Sequence, residues 1–187
     1  MTSESKIIKE MSFMNSITAT SLSISIFGAI ATWMALSFMS GFVLIWAIFI
    51  AWAAFAALGG DNTAFKNTVI CGLFGVSVGW IGAYMFLALP FSETIGVAMW
   101  AAVVVAVTAF AVVFASNFSF LAAVPASVLS YAATFAYLLQ TEGKMSISTL
   151  TASSFENPLL IISLSVVLGA IFGKLSTVSA AKITCEQ

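Results

Sequence analysis

Four stretches of this chain, residues 11–60, 67–92, 94–141 and 157–173, contain no charged side chain at all. A charge held in hydrocarbon costs roughly 2.5–3.5 kcal/mol on insertion scales, and a helix needs about 20 residues to cross a bilayer. The gaps between charges therefore map what fits inside a membrane. The two long gaps hold two helices each and the two short ones hold one each, so the sequence predicts an all-α, polytopic bundle of six transmembrane helices. A water-soluble globule is excluded by the same pattern, since 61% of the residues are hydrophobic and 7% charged.

The scarce charges also exclude functions. Six basic and seven acidic residues give a net charge of −1, with no histidine, which offers a phosphate backbone nothing to bind and predicts no nucleic-acid partner. Histidine catalysis and histidine metal sites are removed at the outset. Cys71 and Cys185 form neither a disulfide framework nor a metal-ligand pair. No nucleophile and base come together in a recognisable motif, so the expectation is a protein without catalytic residues, metal or cofactor.

Turn residues divide the long gaps. Helix 1 is predicted over Ser16 to Ser37, helix 2 over Gly41 to Leu58, and helix 3 over Asn67 to Leu89, where Pro90 cannot continue the hydrogen-bond ladder. Helix 4 is predicted from Glu93 to Ala115, helix 5 from Phe120 to Leu139, and helix 6 from the Asn157 cap and Pro158 to Ser176. With the N-terminus inside, Lys6, Lys9, Lys66, Lys174 and Lys182 fall on the cytoplasmic side and only Lys144 outside, which predicts N-in and C-in. The layout is one integral membrane domain: a cytoplasmic tail 1–15, a bundle 16–176 with an outer loop 141–157, and a cytoplasmic tail 177–187. The first helix is read as a retained span.

Within the spans two patterns stand out. Gly72, Gly75, Gly79 and Gly82 share one face of helix 3, and Ser165, Gly169 and Gly173 repeat the spacing on helix 6. In a bilayer such faces admit the close approach of another backbone, within one subunit or between subunits; the alternative is that bare glycine backbone lines a narrow conduit. Ser127, Ser130, Tyr131 and Thr134 form a hydroxyl stripe on helix 5, which either bonds within the bundle or faces a pore. Trp80 lies well inside helix 3 and is a candidate constriction. Every Asp, Glu and Lys sits at a predicted helix end or in a loop, which disfavours proton coupling.

The run Trp52 to Gly60, Lys66, the segment Gly75 to Trp80, Val124-Pro125, Ala133 to Ala136 and Leu168 to Gly173 resemble the YcdZ-like bacterial inner-membrane proteins, grouped as domain of unknown function 1097. The resemblance spans Phe27 to Ser176, with a longer N-terminal tail and a longer outer loop. It implies a multi-pass protein of the bacterial cytoplasmic membrane and transfers no functional residues. From the residues themselves the expected function is a passive channel or facilitator for a small uncharged or weakly charged solute, with Trp80, Ser127, Ser130, Tyr131 and Thr134 as its pore candidates. An accessory subunit packing its glycine faces on another membrane protein is the first alternative, and glycine faces on two helices also predict a homo-oligomer in the lipid bilayer. A small secondary transporter is the second alternative; it requires internal symmetry, and the two sequence halves are only weakly alike.

Overall fold

A computed structural model of the protein describes residues 15–184, so the expected N-terminal tail 1–15 lies outside them apart from Asn15, as do residues 185–187. The described residues are helical, with no sheet among them. In chain order the helices are α1 (Ser16–Leu36), α2 (Ile45–Ala57), α3 (Asn62–Ala88), the short α4 (Phe91–Ile95), α5 (Val97–Phe114), α6 (Val124–Gln140), the short α7 (Ile147–Thr151) and α8 (Pro158–Ile183), with two 3-10 turns between α5 and α6. Four helices are long and apolar enough to cross a bilayer: α1, α3, α5 with its extension to Asn117, and α8. With 13 residues α2 is about 20 Å long, and with 17 residues α6 is about 26 Å, both short of a hydrocarbon core of about 30 Å.

Local chemistry sets the boundaries. Asn15, Asp61 and Asn157 accept hydrogen bonds from the first-turn amides of α1, α3 and α8, at 2.8, 2.6 and 3.0 Å, so α3 begins earlier than the expected Asn67. The predicted fourth helix is broken at Gly96, whose φ of +87° no helix tolerates and which separates α4 from α5. The second helix starts at Ile45 rather than Gly41, because Gly41 and a Met39–Phe42 turn occupy the connection. The last helix runs past Ser176 to Ile183, so most of the expected C-terminal tail is helical.

The buried core is built from α2, α3, α6 and α8, with α1 set against α8 and α5 against α3 and α6. Outward-facing side chains are large and apolar; Phe110 on α5 is 67% exposed and Trp33 on α1 is 65% exposed. A surface of that kind is at home in lipid rather than water. Ser23 Oγ on α1 donates to the Ser176 carbonyl on α8 at 2.6 Å, which puts the start of α1 and the finish of α8 at one end of the bundle. Lys174 reaches the ring of Phe65 at that end, 5.1 Å from its centroid. At the other end the α6–α8 connection is fastened by Lys144 Nζ to Glu156 Oε1 at 2.7 Å.

The two halves of the bundle make the same contacts. A Cβ on Gly75 of α3 would strike the Ser127 carbonyl of α6, and one on Gly169 of α8 would strike the Ile48 carbonyl of α2. One turn on, Gly79 faces Thr134 and Gly173 faces Phe55. Cys71 Sγ donates to the Phe120 carbonyl just before α6, and Ser165 Oγ accepts from the Leu44 amide just before α2. A single sequence interval relates Cys71 to Ser165, Gly75 to Gly169 and Gly79 to Gly173; another relates Ile48 to Ser127 and Phe55 to Thr134. Helices α1, α2 and α3 are thus one unit and α5, α6 and α8 a second, each long glycine-bearing helix clasping the short helix of the other unit. Because a unit contributes three helices, the second runs opposite to the first.

Candidate functional site

The glycine face of α3 and the hydroxyl stripe of α6 meet each other. Gly72 lies against Val166 and Ser130, Gly75 against the backbone of Ser127, Gly79 against Thr134, and Gly82 against Thr108 and Phe135. Ser127, Ser130 and Thr134 are buried in that seam, and Thr134 Oγ1 donates back to the Ser130 carbonyl at 3.0 Å. Gly169 and Gly173 are filled in the same way by Ile48, Ala51, Trp52 and Phe55. All six glycines singled out in the sequence are therefore occupied within the chain, and none presents a bare face to a second copy.

The remaining candidates also have partners. Tyr131 Oη and Thr108 Oγ1 share a buried hydrogen bond of 2.8 Å, and Thr108 also donates to the Val104 carbonyl at 2.7 Å. Trp80 Nε1 donates to the Leu150 carbonyl at 2.9 Å, and its ring stacks on Tyr84. Trp80 thereby ties α3 to the α7 turn. Tyr137, at the edge of the stripe, donates to the Glu156 carbonyl at 3.0 Å. The carboxylate of Glu156, bonded to Lys144, holds that ammonium's pKa above its ordinary value. Ser127 Oγ and Thr68 Oγ1 are buried without a partner among the described residues.

Two cavities open at opposite ends of the bundle. The larger, about 460 Å³, lies at the lysine-rich end between the start of α1, the finish of α2 and the last turns of α8. Ser16, Thr20, Ser176, Thr177 and Thr184 are on its wall, the hydroxyls of Ser176 and Thr184 donating back to the Gly173 and Ala180 carbonyls of α8, and Trp52 forms its inner limit. Trp52 is 6% exposed and held between Phe49 and Phe172, with ring centroids 5.7 and 6.4 Å away. The smaller cavity, about 100 Å³, lies at the other end among α3, α5 and α6, walled by apolar groups including Phe86, Ala101, Val105 and Phe135. Trp80, Ser127, Ser130, Tyr131 and Thr134 line neither.

Sequence reasoning missed the larger cavity for two reasons. It ended the last helix at Ser176, which left Thr177 and Thr184 in a tail, and it drew no site from the hydroxyls at the start of the first helix. The available signal was that hydroxyls recur at helical spacing on both sides of Lys174, continuing the apolar pattern of α8 to Ile183.

Over residues 21–181 the sequence matches the model of a family described as protein of unknown function, DUF1097. The chain belongs to the DUF1097 family. No curated protein and no solved structure matches it. The DUF1097 segment takes in both three-helix units except the first five residues of α1 and the last two of α8, with all six packed glycines, Trp52, Ser176 and Thr177. Ser16, Thr20 and Thr184 of the hydroxyl-lined cavity fall outside it. Membership in DUF1097 and the long apolar helices together make this an integral membrane protein.

Proposed function

We propose that the protein sits in the bacterial cytoplasmic membrane as six spans, N-in and C-in, and lets a small uncharged or weakly charged solute cross through its own subunit. The observation that carries this reading is the hydroxyl-lined cavity at the end of the bundle that also bears Lys66, Lys174 and Lys182. By the excess of lysines that end is cytoplasmic. Short α2 and α6 span only with help from their connections, and non-helical backbone at membrane depth is tolerated where protein or a cavity surrounds it. Hydroxyls there can replace part of a solute's hydration, and the clamped Trp52 ring narrows the way beyond them. Among the described residues no Asp or Glu lies within α1, α2, α3, α5, α6 or α8, and Lys174, nine residues from the end of α8, is turned to the Phe65 ring, so the passage supported is uncoupled.

The test is stopped-flow light scattering on proteoliposomes with urea, glycerol, ammonia, formamide and short-chain acids. Acceleration for one or two solutes is expected, abolished by Ala180→Trp, which fills the cavity, and retained in Ser127→Ala, which alters only the seam. Acceleration that survives Ala180→Trp but is lost in Ser127→Ala moves the path to the α3–α6 seam. No acceleration for any solute removes the transport reading in favour of an accessory role.

A further inference from the structure

The two cavities are one feature repeated. The interval that relates Thr20 to Ala101 also relates Ile24 to Val105, pairing a wall of the large cavity on α1 with a wall of the small one on α5. On the short helices Ala56 pairs with Phe135, by the interval that relates Ile48 to Ser127; on the long helices Ala180 pairs with Phe86, by the interval that relates Gly75 to Gly169. The same relation pairs Trp52, which bounds the large cavity, with Tyr131, which lies one turn deeper than Phe135 and bonds to Thr108. Each cavity is therefore the space between the outer helix of one unit, its own short helix and the end of a long helix, and the two face opposite sides. They differ in size, about 460 Å³ against about 100 Å³, in part because Ala56 and Ala180 stand where the smaller cavity has Phe135 and Phe86.

Resting on the transport reading above, we infer that the protein works by alternating access, and that this structure is the form open at the lysine-rich end. Two inverted units that share this backbone packing can exchange conformations, which gives a second arrangement open at the opposite side. In that arrangement α1 closes on α8 and α2, while α5 withdraws from α3 and α6 and opens the space among Phe86, Val105 and Phe135. The glycine seams between units form the fixed core about which the outer helices move, since backbone packed this closely has no room to slide. Trp52 is the inner limit of the larger cavity and Tyr131 lies one turn beneath the smaller one, and the solute passes between them.

The test uses the full chain with Cys185→Ser, Cys71 being buried, in sealed proteoliposomes treated with a membrane-impermeant maleimide from either side. Single Thr20→Cys reacts from the cytoplasmic side, and single Ala101→Cys reacts more slowly from the opposite side. A wedge placed in one cavity holds it open and so closes the other. Ala101→Trp therefore slows the reaction of Thr20→Cys across the bilayer by about tenfold or more, and Ala180→Trp slows that of Ala101→Cys to a similar degree. Where Ala101→Trp does not reconstitute, Val105→Trp serves at the same wall. If each cysteine keeps its rate whatever fills the opposite cavity, alternating access is overturned. Solute flux measured on the same vesicles separates the two ideas: flux with independent cysteines leaves a fixed channel, and coupled cysteines without flux leave the conformational exchange but remove the transport reading.

Discussion

Replacing Gly75 by alanine tests whether the α3–α6 seam is set by backbone contact. The added Cβ would lie 2.8 Å from the carbonyl carbon and 3.0 Å from the Cα of Ser127, closer still to the carbonyl oxygen. No rotamer of a neighbouring side chain relieves this, because the obstacle is main chain. Relief requires the helices to part by about 1 Å, which forfeits about half of a well of about 0.15 kcal/mol at each of roughly 40 atom pairs along the seam, or about 3 kcal/mol. Alanine's higher helix propensity offsets about 1 kcal/mol, leaving a loss of about 2 kcal/mol. Gly82→Ala is the internal contrast, since its Cβ meets only the ends of Phe135 and Thr108 at 3.2 Å. There the propensity gain and the mild crowding cancel to within about 0.5 kcal/mol. Reversible unfolding in mixed micelles, followed by circular dichroism, reads both. A Gly75→Ala protein as stable as Gly82→Ala would refute backbone contact as the determinant of this seam.

Tyr131→Phe removes the bond to Thr108 but leaves the Thr108 hydroxyl donating to Val104, so the expected loss is small, about 0.6 kcal/mol in the same unfolding assay. Thr108→Val instead strands the Tyr131 hydroxyl in a dry interior and costs more, about 1–3 kcal/mol; equal losses would show that the pair is not buried as described. Lys144→Gln changes stability by less than about 1 kcal/mol, because the pair with Glu156 is solvent-accessible. The pKa of Lys144 is raised in the folded protein, so its contribution is complete below the ordinary value of 10.5 and fades as pH rises through the folded value. The difference between wild type and Lys144→Gln therefore stays level through neutral pH and disappears in strong alkali, and a difference that grows with alkali contradicts that sign.

The charge-free stretches settled where the main helices lie, because a charge at membrane depth is costly enough for its absence to be read directly. Asn157-Pro158 started α8 and Pro90 followed the end of α3 for equally local reasons: a side-chain cap and a missing amide. The break at Gly96 was less legible, since the surrounding residues are strong helix formers and only the adopted φ reveals it. Family membership was legible too, because ordered small and aromatic residues survive as a linear pattern. What the glycines and the α6 hydroxyls face was not legible. A stripe fixes which residues share a side of a helix but not which helix covers that side, and here the two stripes cover each other.

Tertiary structure alone decided the relation between the halves. Gly75 and Gly169 share a four-residue spacing of small residues, but the residues between them differ, as do the side chains they meet, with Ser127 in one unit and Ile48 in the other. What repeats is the approach of a short helix's carbonyl to a glycine on a long one, a backbone relation that many side-chain sequences satisfy. The cavities follow from it. Hydroxyls on α1 and α8, more than a hundred residues apart in the chain, become one wall because Ser23 bonds to the Ser176 carbonyl and draws the two helices together. Position along the chain determined membrane depth; only the packing of helix on helix determined which polar groups share a space.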